Sequence, residues 1–269
     1  MYTYDVHEKV LSDLISLNDR VAIVTGGAQG IGYAIAERLA EAGAEVIIAD
    51  LDANKAGQSA KNITQKYDRK AHGYQLDVSD ANSIISLADY AKNTLGRIDI
   101  WVNNAGIYNF LGVLDIEDGD WDKLMNLNLR GSFMACREAA KRMIDTDQGG
   151  VIINILSTAA LKTSGNAAHY VASKHGLAGL TKSLAVELGK QGVRALAVAP
   201  TLVDTPGVEK LKANDPNVKE QLDRFEQQLP LRRMAVPDDI ARTVLFCASD
   251  LAMYLTGTVI AVDGGETAL

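Results

Sequence analysis

Val21–Thr25 (V-A-I-V-T) is an apolar run of buried-strand length that leads directly into G-G-A-Q-G-I-G and then a helical pattern through Ala42 (Ile31, Ile35, Leu39). Strand, glycine turn and helix in immediate succession leave the chain few options. The arrangement aims free backbone N–H groups and the positive end of a helix at one point, which suits a phosphate. Gly26, Gly30 and Gly32 are spaced G-x-x-x-G-x-G, which departs from the G-x-G-x-x-G dinucleotide pattern. Eighteen residues past Gly32 a second apolar run, Glu45–Asp50, ends on a carboxylate. An acid at this position can accept hydrogen bonds from ribose hydroxyls and would repel a 2′-phosphate. No Arg or Lys falls within Asp50–Asn54, and Gln29 brings no charge to the turn, so charge favours NAD over NADP.

The same alternation continues along the chain. A helical segment, Ala53–Tyr67, leads to a third strand, Ala71–Val78, with Ser79 or Asp80 placed to cap the next helix. A fourth strand, Ile98–Val102, runs into N-N-A-G (Asn103–Gly106), where small residues would let a ligand lie against the backbone. Trp121–Arg142 reads as one long helix enclosing Asn128. Val151–Leu156, Val193–Ala199 and Thr258–Val262 complete seven strands. Thr201–Arg233 is polar, poorly periodic and carries Pro206, Pro216 and Pro230, which suits a binding lid at a strand's carboxyl end. The pattern predicts an α/β fold: a single doubly wound Rossmann-type domain over 21–269, with a seven-stranded parallel sheet and helices on both faces. Residues 1–20 precede it as an extension whose Val6, Val10, Leu14 and Leu17 share one helical face. That segment can pack on the domain, pack on a neighbouring subunit, or fray.

Bulk properties exclude several functions. The 269 residues are 47% apolar with a net charge of -7, which argues against a nucleic-acid surface. No apolar run reaches the roughly 18 residues of a membrane span, and Met1–Arg20 does not read as a signal peptide. Cys136 and Cys247 lie in apolar helical contexts, which fits a reducing cytoplasm. His7, His72, His169 and His175 lack metal-ligand spacing, so no metal is expected.

The chemistry converges on Ser157–Lys174. Ser157 follows the fifth strand, Tyr170 comes thirteen residues on, and Lys174 four beyond that, at the start of a helical pattern. Positions i and i+4 share a helix face, so the phenol and the ammonium can reach one point. A free phenol with a pKa near about 10 is a poor base, and a neighbouring ammonium favours its phenolate. Tyr170 can then exchange a proton with an alcohol while Ser157 holds the same oxygen.

Taken together, T-G-G-A-Q-G-I-G (Thr25–Gly32), Asp50, Asp77-Val78, N-N-A-G, Asn128, Ser157 and Y-V-A-S-K (Tyr170–Lys174) resemble the short-chain dehydrogenase/reductase family from about Val21 to Gly265. The resemblance implies a catalytic set of Asn128, Ser157, Tyr170 and Lys174, with Lys174 also binding the nicotinamide ribose and Asn128 holding a proton-relaying water. It implies that Gly26, Gly30 and Gly32, with Gln29 and Ile31, shape the pyrophosphate turn. Asp50 and Leu51 would take the adenosine ribose, Asp77 and Val78 the adenine, and Asn104, Ala105 and Gly106 would lie along the cofactor. Pro200, Val203 and Thr205 would flank the nicotinamide. Thr201 stands where the family commonly has glycine, so a different loop path is expected there.

Ser157, Ala159, Asn166, Tyr170 and Leu202 are expected to bind substrate, with Leu161, His169 and Tyr108 facing it and Asn166 and His169 meeting hydroxyls. The implied activity is NAD(H)-dependent interconversion of a secondary alcohol and a ketone. A-P-T-x-x-x-T in place of the glycine form resembles some polyol and sugar-alcohol dehydrogenases of the family, which implies a polyol or sugar alcohol. A 3-oxoacyl thioester, a hydroxysteroid or another ketone is the alternative within the family, and an inactive NAD-binding regulator the alternative outside it. A homotetramer is expected, its Trp121–Arg142 and Tyr170–Lys190 helices packing against their copies.

Overall fold

The computed structural model describes residues 6–145, 149–163, 165–214 and 216–269; residues 1–5 of the extension and residue 215 of the predicted lid lie outside the described residues. In chain order the elements are α1 (Leu11–Ile15), β1 (Val21–Thr25), α2 (Gly30–Glu41), β2 (Glu45–Asp50), α3 (Ala53–Tyr67), β3 (Ala71–Gln75), α4 (Ala81–Leu95) and β4 (Ile100–Asn103). Then come α5 (Asp118–Met125), a π-helical turn (Asn126–Gly131), α6 (Ser132–Ile144), β5 (Gly150–Ile155), α7 (Ala168–Leu188) and β6 (Val193–Pro200). The chain closes with α8 (Pro206–Asn214), α9 (Pro216–Gln228), α10 (Pro237–Ala248) and β7 (Val259–Val262). All strands pair in parallel, in the order β3-β2-β1-β4-β5-β6-β7.

Alternate strand residues enter two large cores, with Ala197 and Ala199 of β6 in a third, smaller one beside α7. Ala22, Val24, Val46, Ile48, Ile100 and Val102 pack with Ile35 and Leu39 of α2, Ile63 of α3 and Val244 of α10. Ile23, Ile47, Trp101 and Ile152 pack with Ile84 and Leu87 of α4 and Met134 and Met143 of α6. A period of two places successive side chains on opposite faces, so apolar runs without alternation require helices on both sides. The order reverses direction between β1 and β4, which opens a crevice at their carboxyl ends.

Three sequence expectations change. β3 ends at Gln75 rather than Val78, because Asp77 turns the chain out: its Oδ1 accepts from Ser79 N at 2.8 Å and its N–H donates to Ser83 Oγ at 3.1 Å. The Trp121–Arg142 helix is interrupted by the π-helical turn around Asn128. Thr201–Arg233 is not an irregular excursion, since Pro206 and Pro216 begin helices α8 and α9. Proline is tolerated in a first turn, whose N–H groups have no helical partner. The same residues that read as breakers are helix starts.

The extension is less helical than its spacing suggests, because α1 has only five residues and Val10 and Leu11 are exposed. It packs on the domain nonetheless. Leu17 is fully buried and donates its N–H to Ala42 O at 2.8 Å. The buried Asp250 carboxylate takes Lys9 Nζ at 2.6 Å and Arg20 Nη2 at 2.5 Å. Burial acts to raise this carboxyl, but the hydrogen bonds from Lys9 and Arg20 outweigh it and hold the group below its ordinary range. Asp250→Ala would leave both cations unpaired and should cost about 1–3 kcal/mol, a Tm fall of several degrees. Limited proteolysis of that variant should cut ahead of Val21 faster than in wild type; equal cleavage and equal Tm would show that Asp250 does not anchor the extension.

Candidate active site

The carboxyl ends of β1, β4, β5 and β6 are neighbours, and each carries one part of the predicted site: the glycine turn, Asn104–Gly106, Ser157, and Pro200–Thr205. The glycine turn is packed to backbone tolerance. A Cβ on Gly32 would stand 2.2 Å from Gly26 O and 2.6 Å from Asn104 Nδ2, and Gly26 and Gly30 have φ of +61° and +57°. α2 begins at Gly30, so its first N–H groups point out of the turn without helical partners. These features fit a pyrophosphate-bearing group. Gln29 and Ile31 flank the turn, and Thr205 approaches it from β6, with its Cγ2 3.6 Å from where a Gly30 Cβ would lie.

Asp50 sits at the rim. Its Oδ2 accepts from Ala28 N at 3.1 Å and its Oδ1 from Asp52 N at 3.2 Å, which aims the carboxylate beside the turn. Leu51 is exposed next to it. Lys55, the nearest following cation in sequence, pairs with Asp52 at 3.3 Å. Asp77 and Val78 lie where β3 turns away, with Val78 O against Gly131 of the π-helical turn.

Asn104 braces the turn. Its Nδ2 donates to Thr25 O and Gly26 O, each at 3.0 Å, while Thr25 Oγ1 accepts from Asn104 N at 3.0 Å and Ala105 N at 3.1 Å. Asn128 braces the next segment. Its Oδ1 accepts from Ile107 N at 2.9 Å and its Nδ2 donates to Ile107 O at 2.8 Å. Gly106 lies close by, since a Cβ there would be 3.3 Å from Asn128 Oδ1. The Asn128 side chain thus spends its polar atoms on backbone, and the π-helical turn presents it to do so.

On the opposite wall, Ser157 precedes a 3-10 turn and its Oγ accepts from Ala159 N at 3.2 Å, which holds the hydroxyl beside Tyr170. Tyr170 and Lys174 lie on one side of α7, with Nζ 5.7 Å from the centre of the phenol ring. Nζ also donates to Ile155 O at 2.9 Å, so the buried amine ties α7 to the end of β5. The electrostatics differ from the sequence expectation. Burial pushes the Tyr170 phenol above its ordinary value, the Tyr108 hydroxyl adds to the rise, and a hydrogen bond with Ser157 opposes it. Burial likewise pushes Lys174 down to about 8. An ammonium that is itself costly to charge, and is engaged by a carbonyl, does not offset the phenol's desolvation. At neutral pH the phenol keeps its proton.

The substrate-facing residues divide. Ala159 and Leu202 are half-buried at the loop ends, while Tyr108, Leu161 and Asn166 are exposed. His169 does not face substrate: it is fully buried, its Nε2–H donates to Asn109 Oδ1 at 2.6 Å, and its Nδ1 has no partner among the described residues. Asn166 adopts φ 57° and its carbonyl accepts from Leu111 N at 2.8 Å, a second tie between the 107–117 and 161–167 segments. Thr201 needs no left-handed backbone, since it is absent from the positive-φ positions. The altered path expected there is not required. Val203 is buried and bridges to Ala235.

Sequence reasoning missed the floor of the site. Trp101 Nε1 donates to Asn103 Oδ1, Asn103 Nδ2 to Asn154 Oδ1, and Asn154 Nδ2 to Thr181 Oγ1, at 2.8, 2.9 and 2.9 Å. The available signal was Asn154, an amide inside the apolar run V-I-I-N-I-L, because a buried amide in a strand requires partners. A surface concavity of about 750 Å³ lined by Met125, Leu129 and Phe133 contains none of the candidate site residues. The site is defined by the four strand ends instead. Among the described residues no group of His, Cys, Asp and Glu could hold a metal ion, and no helix is long and apolar enough to cross a membrane.

Known proteins are similar to this chain in sequence and fold. A family profile described as enoyl-(acyl carrier protein) reductase matches residues 26–267. The 3-oxoacyl-[acyl-carrier-protein] reductase FabG of Aquifex aeolicus is 38% identical over 251 residues, 93% of this chain and 98% of that protein. The D-threitol dehydrogenase of Mycolicibacterium smegmatis is 38% identical over 252 residues, 93% of this chain and 94% of that protein. A solved structure from Beutenbergia cavernae, assigned as an NAD(P)-dependent gluconate 5-dehydrogenase with NADP bound at low occupancy, superposes with a TM-score of 0.88 at 33% identity, covering 95% of this chain and all of that one (100%).

The burial of Lys174 makes a prediction about stability. A folded-state pKa lowered from 10.5 to about 8 means that the folded protein releases this proton first. The cost of the buried charge is therefore full below about pH 8 and fades as pH rises toward the ordinary lysine value. Lys174→Met cannot titrate, so the stability difference between wild type and this variant should move in favour of wild type by roughly 2–3 kcal/mol between about pH 7 and about pH 10. Chemical denaturation at each pH measures it, and a constant difference would contradict the assignment.

Proposed function

The chain belongs to the short-chain dehydrogenase/reductase family, and on that premise we propose that it is an NAD(H)-dependent oxidoreductase interconverting a secondary alcohol and a ketone. The observation that carries the reading is the convergence of Ser157, Tyr170 and Lys174 at strand ends adjoining a glycine turn with no room for a side chain at Gly32. A bound nicotinamide dinucleotide would supply the hydride acceptor or donor. The glycine turn and the N-terminus of α2 would hold its phosphates, and Asp50 its adenosine ribose. Ser157 turns its O–H from Tyr170 to the substrate oxygen, and Tyr170 exchanges a proton with that oxygen. Because the phenol is protonated at neutral pH, the resting protein is set to donate a proton, as ketone reduction requires. Oxidation of the alcohol requires Tyr170 to act as base, with Lys174 favouring the phenolate. Asn128 contributes by fixing the Ile107 backbone with its side-chain amide.

A small hydroxylated alcohol is the substrate class this reading favours. Asn166 and Tyr108 are exposed polar residues on the segments beside Ser157, and the relatives include a D-threitol dehydrogenase. An equally similar relative reduces 3-oxoacyl carrier protein, so a 3-oxoacyl thioester is the second reading. Exposed Trp121 and Phe133 give the α5–α6 stretch an apolar outer face, and we propose that it packs against a copy in a homotetramer.

Incubation of the protein and NAD+ with a panel of polyols, simple secondary alcohols and 3-hydroxyacyl thioesters should give NADH absorbance with the polyols. Tyr170→Phe should retain NADH binding while turnover falls by at least about 10²-fold. No NADH with any alcohol, or unimpaired Tyr170→Phe, would remove the proposed reaction. Asp50→Ala should narrow the ratio of NAD to NADP affinity, because it removes the carboxylate that repels a 2′-phosphate. An unchanged ratio would relieve Asp50 of that role.

A further inference from the structure

Beside the candidate site lies a carboxylate that the reaction does not use. Glu266, in the turn that follows β7, is buried with about 9% of its surface exposed. Its Oε2 accepts from Thr201 Oγ1 at 2.5 Å, and its Oε1 pairs with Lys162 Nζ at 2.9 Å. Each partner belongs to a different wall of the site. Thr201 is the first residue after β6, while Lys162 follows the 3-10 turn that Ser157 begins.

The turn that carries Glu266 is itself fixed. Asp263 accepts from Gly265 N, Thr267 N and Thr267 Oγ1 at 3.0, 2.8 and 2.6 Å. Gly265 has φ +91° and a Cβ there would stand 2.7 Å from Pro230 Cγ, so the turn also presses on the end of the 201–233 segment. Leu231 N–H donates to Gly264 O at 3.2 Å. Three loops thus meet on one short stretch of chain. A charge-assisted hydrogen bond from a buried hydroxyl is among the stronger single contacts, and the exposed ammonium of Lys162 adds less.

We propose that Glu266 is a positioning residue, which through the Thr201 hydroxyl sets the Pro200–Thr205 loop against the Ser157 loop and so fixes the nicotinamide side of the site. Glycine at 201 could not make this bond, so the threonine supplies an anchor that the glycine form of the loop lacks. The inference rests on the reading above in one respect, that Pro200–Thr205 flanks a bound nicotinamide.

The test uses the full chain, NADH as probe, and the variants T201V, T201S, E266A and T201V/E266A. T201V keeps the volume while removing the hydroxyl, and it carries the test should E266A not fold. Fluorescence titration should show the NADH Kd rising about tenfold in T201V and in E266A, with T201S close to wild type. The double variant should be no worse than the weaker-binding single one, since both remove the same bond. Amide exchange over 157–162 and 201–205, measured without NADH, should accelerate in T201V and E266A and be restored in T201S. Wild-type exchange and wild-type affinity in both variants would overturn the proposal, as would fully additive losses in the double variant. Failure of wild type to bind NADH strikes the dinucleotide reading alone, and exchange then decides for or against the clamp.

Discussion

One close backbone approach governs the site. Gly32 and Gly26 come so near each other that a methyl group at Gly32 would lie 2.2 Å from a carbonyl oxygen. Such an approach holds only if the flanking strands are fixed to better than a fraction of an ångström, and Asn104 fixes them. Its amide donates to the last carbonyl of β1 and the first of the turn, while Thr25 takes the N–H groups of Asn104 and Ala105. Two strand ends adjacent in the sheet but 79 residues apart in sequence become one unit. Loops on rigid elements can carry chemistry because the elements, not the loops, hold the geometry.

The same logic extends across the sheet. Asn103, Asn154 and Thr181 link β4, β5 and α7 beneath the site, and Lys174 bonds the last carbonyl of β5 from above. Each amide in this chain is buried and paired, which in a low-dielectric interior rewards one arrangement and penalises all others. The Cys136 thiol sits among these amides, and burial pushes it up to about 12. It is a packed core group rather than a nucleophile.

The sheet was almost fully legible in the sequence, because strands buried on both faces must be apolar throughout and glycine at a backbone contact has no substitute. Val21–Thr25, Glu45–Asp50 and Ala53–Tyr67 have the same ends in the structure as in the pattern. What could not be read lay where tertiary contacts decide. Nothing local in N-L-N-L-R-G distinguishes a π-helical turn from an α-helix; the cause is the contact of Gly131 with Val78 O and the bond of Asn128 to Ile107. Pro206 and Pro216 looked like breaks because proline ends a helix and also starts one. His169 is expected from its place beside Tyr170 to meet substrate hydroxyls, yet α7 turns it inward to Asn109.

The Tyr170–Lys174 pair shows the limit of spacing as evidence. Four residues on a helix bring two side chains to one side, but the charge each carries depends on what surrounds it. Here burial acts on both: it disfavours the phenolate at Tyr170 and the ammonium at Lys174. Desolvation alone pushes both groups toward their neutral forms. Charge must therefore be restored by neighbours that the two side chains do not themselves provide, and the groups close enough to contribute are the Ser157 hydroxyl, the Ile155 carbonyl and whatever lies against the ring face. The carbonyl favours the ammonium and the hydroxyl favours the phenolate, so each half of the pair has one partner that stabilises its charged form.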